Sequence, residues 1–157
     1  MKVIIASDHA GYKYKTILIE EMRNAGYEVS DLGTNNESPT DYPDHARDVA
    51  HALFNEKDTK AIIICGSGVG VSVAANKFRG IRAGVCHDTY SAHQSVEHDD
   101  VNVLCIGQRV IGIELAREIV FTFLPAQFSK ATRHEKRLEK ILAIEAENMK
   151  GNEKNPS

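Results

Sequence analysis

Apolar and polar positions in this chain follow two alternating patterns. Short unbroken apolar runs, such as Val3-Ile4-Ile5-Ala6 and Ala61-Ile62-Ile63-Ile64, read as strands buried on both faces. Between them lie longer stretches with apolar residues at helical spacing. The pattern predicts strands at 2–6, 27–31, 60–65, 82–86 and 102–106, and helices near 11–25, 44–56, 69–78, 89–97, 112–124 and 132–148. Strands alternating with helices predict a parallel sheet covered on both faces. The expected fold class is therefore α/β: a single-domain, three-layer α/β/α arrangement around a five-stranded parallel Rossmann-like sheet in the order 2-1-3-4-5, with a C-terminal helix. The one long loop, 32–43, carries Gly33, Asn35, Asn36, Ser38 and Pro39. Loops of that length in compact domains are often binding segments.

Composition narrows the function. A chain of 157 residues suits one domain with its own core. That domain is expected over 1–148, followed by a polar tail at 149–157. The net charge of −3 leaves no basic surplus to neutralise phosphates, which argues against nucleic acid as a partner. No apolar run approaches the roughly 20 residues that cross a bilayer, so no membrane partner is expected. The opening Met1-Lys2-Val3-Ile4-Ile5-Ala6 reads as a strand and not as a signal peptide. Cys65, Cys86 and Cys105 are widely spaced with no CxxC pair. That fits a reduced cytoplasmic protein and supports neither a disulfide framework nor a zinc site.

Ligands of open α/β sheets bind beyond the carboxyl ends of the strands, where the strand order reverses. The segment after each strand is therefore the place to find chemistry. Strand one runs into Ser7-Asp8-His9-Ala10-Gly11, and strand three into Cys65-Gly66-Ser67-Gly68-Val69-Gly70. Neighbouring strands one and three would put Asp8, His9 and Cys65 in one crevice. The glycine loop bares its backbone N–H groups at the start of a helix, where they stabilise anions, including an oxygen that turns negative during a reaction. A thiolate at Cys65 gains from the same positive helix end. Three familiar phosphate loops fail on counting. No Gly-Lys-Ser/Thr forms a P-loop, Val71 stands where a dinucleotide fingerprint needs its last glycine, and no arginine closes the loop as in cysteine phosphatases. A phosphate clamp must come from elsewhere. Arg133 and Arg137, four apart on one helical face, suit a terminal phosphate, although a solvated basic face has the same spacing.

These residues, with Asp41-Tyr42-Pro43, Ala74-Ala75-Asn76-Lys77, His98-Asp99-Asp100-Val101-Asn102-Val103-Leu104 and Gly107-Gln108-Arg109-Val110, carry a resemblance. Over about residues 2–148 the chain resembles the type B ribose-5-phosphate isomerases, in the sugar-phosphate isomerase group that includes galactose-6-phosphate isomerase. The resemblance implies interconversion of ribose 5-phosphate and ribulose 5-phosphate through an enediolate, in the pentose phosphate pathway, without metal or cofactor. It implies Cys65 as the base, the amides of Gly66, Gly68, Val69 and Gly70 around the enediolate oxygen, and Ser67 positioning the substrate. His98, with Asp8, would open the sugar ring. His9, Arg109, Arg133 and Arg137 would hold the phosphate, and Tyr42 would line the crevice. It also implies a homodimer, or a tetramer built from it, with sites shared so that His98 and Arg109 serve the partner. One departure stands out. The family usually has Asn-Asp after its histidine, and here Asp99 replaces an amide donor by an acceptor. That bears on which hydroxyl pattern Asp99 would contact in binding substrate.

Other readings remain open from the residues alone. Cys65 can be a buried structural thiol, as Cys86 and Cys105 are read to be. Asp8 can simply cap the first helix, His98 can close one, and Tyr42-Pro43 can be a rigid turn. His45, His51, His87, His93 and His134 are given no catalytic role. The rival functions are isomerisation of a six-carbon sugar phosphate such as allose or galactose 6-phosphate, a non-catalytic phosphate-binding module, and redox sensing through Cys65.

Overall fold

A computed structural model describes residues 1–56 and 58–149. In chain order the elements are β1 (Lys2–Ser7), a 3-10 turn (His9–Gly11), α1 (Tyr12–Asn24), β2 (Glu28–Asp31), α2 (Tyr42–Phe54), β3 (Lys60–Cys65), α3 (Val69–Ala75), β4 (Ala83–Val85), α4 (Thr89–Asp99), β5 (Val103–Gly107), α5 (Ile113–Phe123) and α6 (Thr132–Met149). The strands form one sheet, parallel throughout, with helices on both faces. Of the polar tail expected at 149–157, Met149 closes α6 and the rest lies outside the described residues.

The strand order is β2-β1-β3-β5-β4, not the expected 2-1-3-4-5. The physical reason is burial. Every residue of Val103–Gly107 is buried, so β5 suits an interior position flanked on both sides. Ala83–Val85 is short and half exposed, with Val85 at 37%, which suits an edge. The neighbouring of β1 and β3 holds as expected, with Ser7 opposite Ile64. The exchange of β4 and β5 sets Gly107 opposite Cys65.

Side chains of a strand alternate between faces, and the core divides accordingly. On one face Ile5, Ile62, Ile64, Leu104 and Ile106 pack with Leu18 and Met22 of α1 and Ile119 and Phe123 of α5. On the other, Ile4, Ala6, Ile63 and Cys105 meet Ala46 and Val49 of α2 and Val71 and Ala75 of α3. Cys65 belongs to this second face. Small residues there let α2 and α3 approach the sheet closely. A buried Lys15 on α1 donates to both carboxylate oxygens of Asp31 at 2.6 Å, pinning α1 to the edge strand β2. The 32–43 loop is laced to the end of β1 by mutual backbone bonds of 2.7 Å, Ser7 N–H to Gly33 O and Thr34 N–H to Ser7 O.

Candidate active site

Asp8 leaves β1 and caps the 3-10 turn, its Oδ1 accepting the N–H groups of Ala10 and Gly11 at 2.9 and 3.2 Å. The capping reading of Asp8 is correct, and it leaves the residue beside the crevice. His9, in the same turn, accepts the Thr40 N–H through Nδ1 at 3.2 Å, which joins the long loop to the site.

Cys65 is the last residue of β3 and is buried. Its Sγ accepts the N–H of Gly68 at 3.1 Å. Gly68 has φ +78°, and a Cβ there would meet the Ile106 carbonyl carbon at 3.0 Å. Only glycine lets the loop turn this tightly under the thiol. At Gly70 a Cβ would lie 2.8 Å from the Tyr42 ring, so Tyr42 rests on the loop at the start of α3. From β5 the chain turns back over the same loop. Gln108 N–H donates to Cys65 O at 2.9 Å and Arg109 N–H to Gly66 O at 3.0 Å. These bonds carry the Arg109 guanidinium across Gly66 of its own chain.

The result is a crevice of about 330 Å³ lined by Asp8, Tyr42, Cys65, Gly66, Ser67, Gly70, Arg109 and Val110. Gly68 and Val69, at the start of α3, are not among its lining residues. Arg109 was expected to serve a partner's crevice, and within the chain it lines its own. The backbone clamp from 108 and 109 onto 65 and 66 is the reason. A larger cavity of about 810 Å³ lies at the other end of the sheet, beside Met1 and Lys60, and contains none of the expected site residues.

His98, Arg133 and Arg137 form a separate group where α4 ends and α6 begins, and neither they nor Asp99 line the Cys65 crevice. The His98 ring stacks on His134 with centroids 4.0 Å apart, and its Nδ1 is held by the Gln94 amide at 2.9 Å. His134 is buried, bonded through Nδ1 to Ser129 Oγ at 2.6 Å, and its Nε2 accepts from Arg133 Nε at 3.2 Å. Burial holds its pKa below the usual histidine value, with the charges of His98, Arg133 and Arg137 adding to the effect. Asp99 faces a different groove, with Arg82, Ile141 and Ile144. Cys86 and Cys105 are buried and their thiol pKa values are raised by burial, as core residues.

The sequence reading missed Gln94 and His134 as the holders of His98. Gln94 stands four residues before His98 on α4, one helical turn away, and that spacing was the available signal. For His134 the pairing is tertiary and no local pattern announces it. Among the described residues no group of three or more His, Cys, Asp or Glu is placed to hold a metal ion. No described helix is long and apolar enough to cross a membrane.

Residues 3–141 match the Ribose/Galactose Isomerase family. The chain belongs to that family. Ribose-5-phosphate isomerase B of Escherichia coli is 46% identical over 144 residues, covering 92% of this chain and 96% of that protein. Among solved structures, ribose-5-phosphate isomerase B of Clostridium thermocellum superposes with a TM-score of 0.90 at 46% identity, covering 94% of this chain and 99% of that one. The type B ribose 5-phosphate isomerase of Trypanosoma cruzi does so at 0.89 and 41%, with coverage of 94% and 99%. The sequence resemblance is thus borne out, and the molecule is an isomerase of the type B ribose-5-phosphate kind.

Proposed function

We propose that the chain interconverts ribose 5-phosphate and ribulose 5-phosphate, with Cys65 as the base. The observation that carries this reading is the Cys65 thiol at the mouth of the glycine loop, bonded to the Gly68 amide, in a crevice that also holds Asp8, Ser67 and Arg109. On this reading Cys65 as thiolate takes the C2 proton of the linear aldose. The C–H electrons form the C1–C2 double bond, and the carbonyl oxygen on C1 becomes negative. The loop amides stabilise that oxygen, which is where such donors contribute most. Return of the proton to C1, with transfer of the O2 hydroxyl proton to O1, gives the ketose with no net gain or loss of atoms. Ser67 positions the substrate hydroxyls. His98, working with Asp8, takes the O1 proton of the cyclic sugar and returns one to the ring oxygen, opening the ring. His9, Arg109, Arg133 and Arg137 hold the phosphate. No metal or redox cofactor is needed for these steps.

The separation of the two groups supports a second part of the proposal. His98, Arg133 and Arg137 lie away from their own Cys65, so the working unit is a homodimer in which each chain completes its partner's crevice. The exposed Val110 at the crevice, Val69 at the start of α3, and Ile141, Leu142 and Ile144 on α6 are apolar surface for such pairing. Residues 1–148 act as one isomerase unit; the free Cys65, Cys86 and Cys105 support a cytoplasmic setting, and a ribose 5-phosphate substrate supports a role in the pentose phosphate pathway.

The test is conversion of ribose 5-phosphate by wild type and Cys65→Ala, with and without chelator. Activity that ignores chelator and drops by about a thousandfold in the variant fits a thiolate base. Equal activity in both proteins removes Cys65 from the mechanism. An inactive wild type redirects the reading to six-carbon sugar phosphates.

A further inference from the structure

His87 lies just after β4, half-buried, and is not among the residues that line the Cys65 crevice. Its Nε2 accepts the N–H of Gly107 at 2.9 Å. An accepting Nε2 means that the neutral ring carries its proton on Nδ1. Gly107 is the residue opposite Cys65 in the sheet, and a Cβ on it would lie only 2.6 Å from the Ser67 carbonyl carbon. The next two amides, of Gln108 and Arg109, donate to the Cys65 and Gly66 carbonyls. Three consecutive N–H groups therefore have fixed partners. Two of them grip the base-bearing loop, and the first is held by His87.

We infer that His87 is a positioning residue that fixes the Gly107–Arg109 turn against the Cys65 loop, and that it does so only while its ring is neutral. A proton on Nε2 turns the acceptor into a donor facing another donor. The buried Gly107 N–H then loses its partner, a change that costs more than the bond itself contributes. Burial already holds the His87 pKa below the usual histidine value. Among the described residues Asp88, from the same turn, is the charged neighbour acting on the ring, and it opposes that shift. The Asp88 carboxylate is itself occupied by the Ser91 N–H and hydroxyl at 2.6 and 2.8 Å. Arg109, the charge carried by the held turn, lies across Gly66. This inference rests on the isomerase reading for its kinetic consequence, though not for its structural one.

The experiment compares wild type, His87→Gln and His87→Leu from about pH 7.5 down to about pH 4.5, past the usual histidine range because the His87 pKa lies below it. Glutamine offers an oxygen to the same N–H and does not titrate; leucine offers nothing. Two quantities are followed: hydrogen exchange of the 107–109 amides, corrected for the intrinsic pH dependence, and kcat for ribose 5-phosphate. In wild type, protection of these amides should fall by about tenfold on acidification, and in His87→Gln it should stay level. The acid limb of kcat should move to lower pH in His87→Gln. His87→Leu should lose protection and turnover at every pH, with glutamine restoring what leucine loses. Identical acid behaviour of wild type and His87→Gln overturns the inference. Absence of any isomerase activity would defeat the functional reading alone, because amide exchange still decides the role of His87.

Discussion

At Gly68 backbone conformation and chemistry meet in one residue. The positive φ there points its N–H at the Cys65 sulfur, and the Ile106 backbone occupies the space a side chain would need. Gly68→Ala should therefore cost about 1–2 kcal/mol of stability, from the left-handed backbone alone. It should also lower turnover, because relief of the clash at Ile106 moves the amide away from the sulfur. Denaturant unfolding and steady-state kinetics on the same preparation check both. A variant with wild-type turnover would mean that the Gly68 amide does not serve the thiol. Much of this was legible in the sequence. A cysteine followed by Gly-Ser-Gly at a strand end states the requirement for a tight turn and bare amides directly. The supports of His98 and of Gly107 were not legible, since Gln94, His134 and His87 act through contacts that no short spacing encodes except the single turn between Gln94 and His98.

Among the elements, β3 shows how the two ends of a strand take different duties. Its last residue carries the proposed base. Its first, Lys60, donates to the carbonyls of Phe123, Leu124 and Ala126 at 2.8, 3.0 and 2.6 Å, satisfying the end of α5. Burial pushes the Lys60 ammonium down to about 8 from 10.5. With the folded value below the unfolded one, the unfolded chain binds more protons between pH 8 and 10.5. The Lys60 contribution to stability is thus present above that window and is lost as pH falls through about 8. The stability difference between wild type and Lys60→Met, measured by unfolding at several pH values, should grow in favour of wild type across that range; a difference independent of pH would exclude the shift. The order of the strands shows where sequence patterns stop. Periodicity located all five strands, but whether β4 or β5 sits beside β3 depends on total burial, and both runs are short and apolar. The complete burial of Val103–Gly107 decides it, and that emerges only when the helices are in place.

For the molecule as a whole, the pairing proposal makes a sharp prediction. Cys65→Ala lacks a base, and His98→Asn lacks the ring-opening group; each should be inactive alone on the cyclic sugar. Mixed and allowed to exchange, they should recover roughly a quarter of wild-type activity, because half the dimers are mixed and one of their two sites is intact. No recovery after verified exchange would place both residues in the same chain's site. Within its own chain Arg109 lies over Gly66.

The last helix carries the remaining consequence. α6 spans 18 residues, yet among them only His134 is buried, while Ile141, Leu142 and Ile144 stand open to solvent. On the proposed pairing this helix meets a second copy, so the number of working centres would rise faster than the number of chains. Near the association threshold, a cell that halves the amount of this protein would lose more than half of the flux through it. Abundance would then act as a switch that needs no effector molecule.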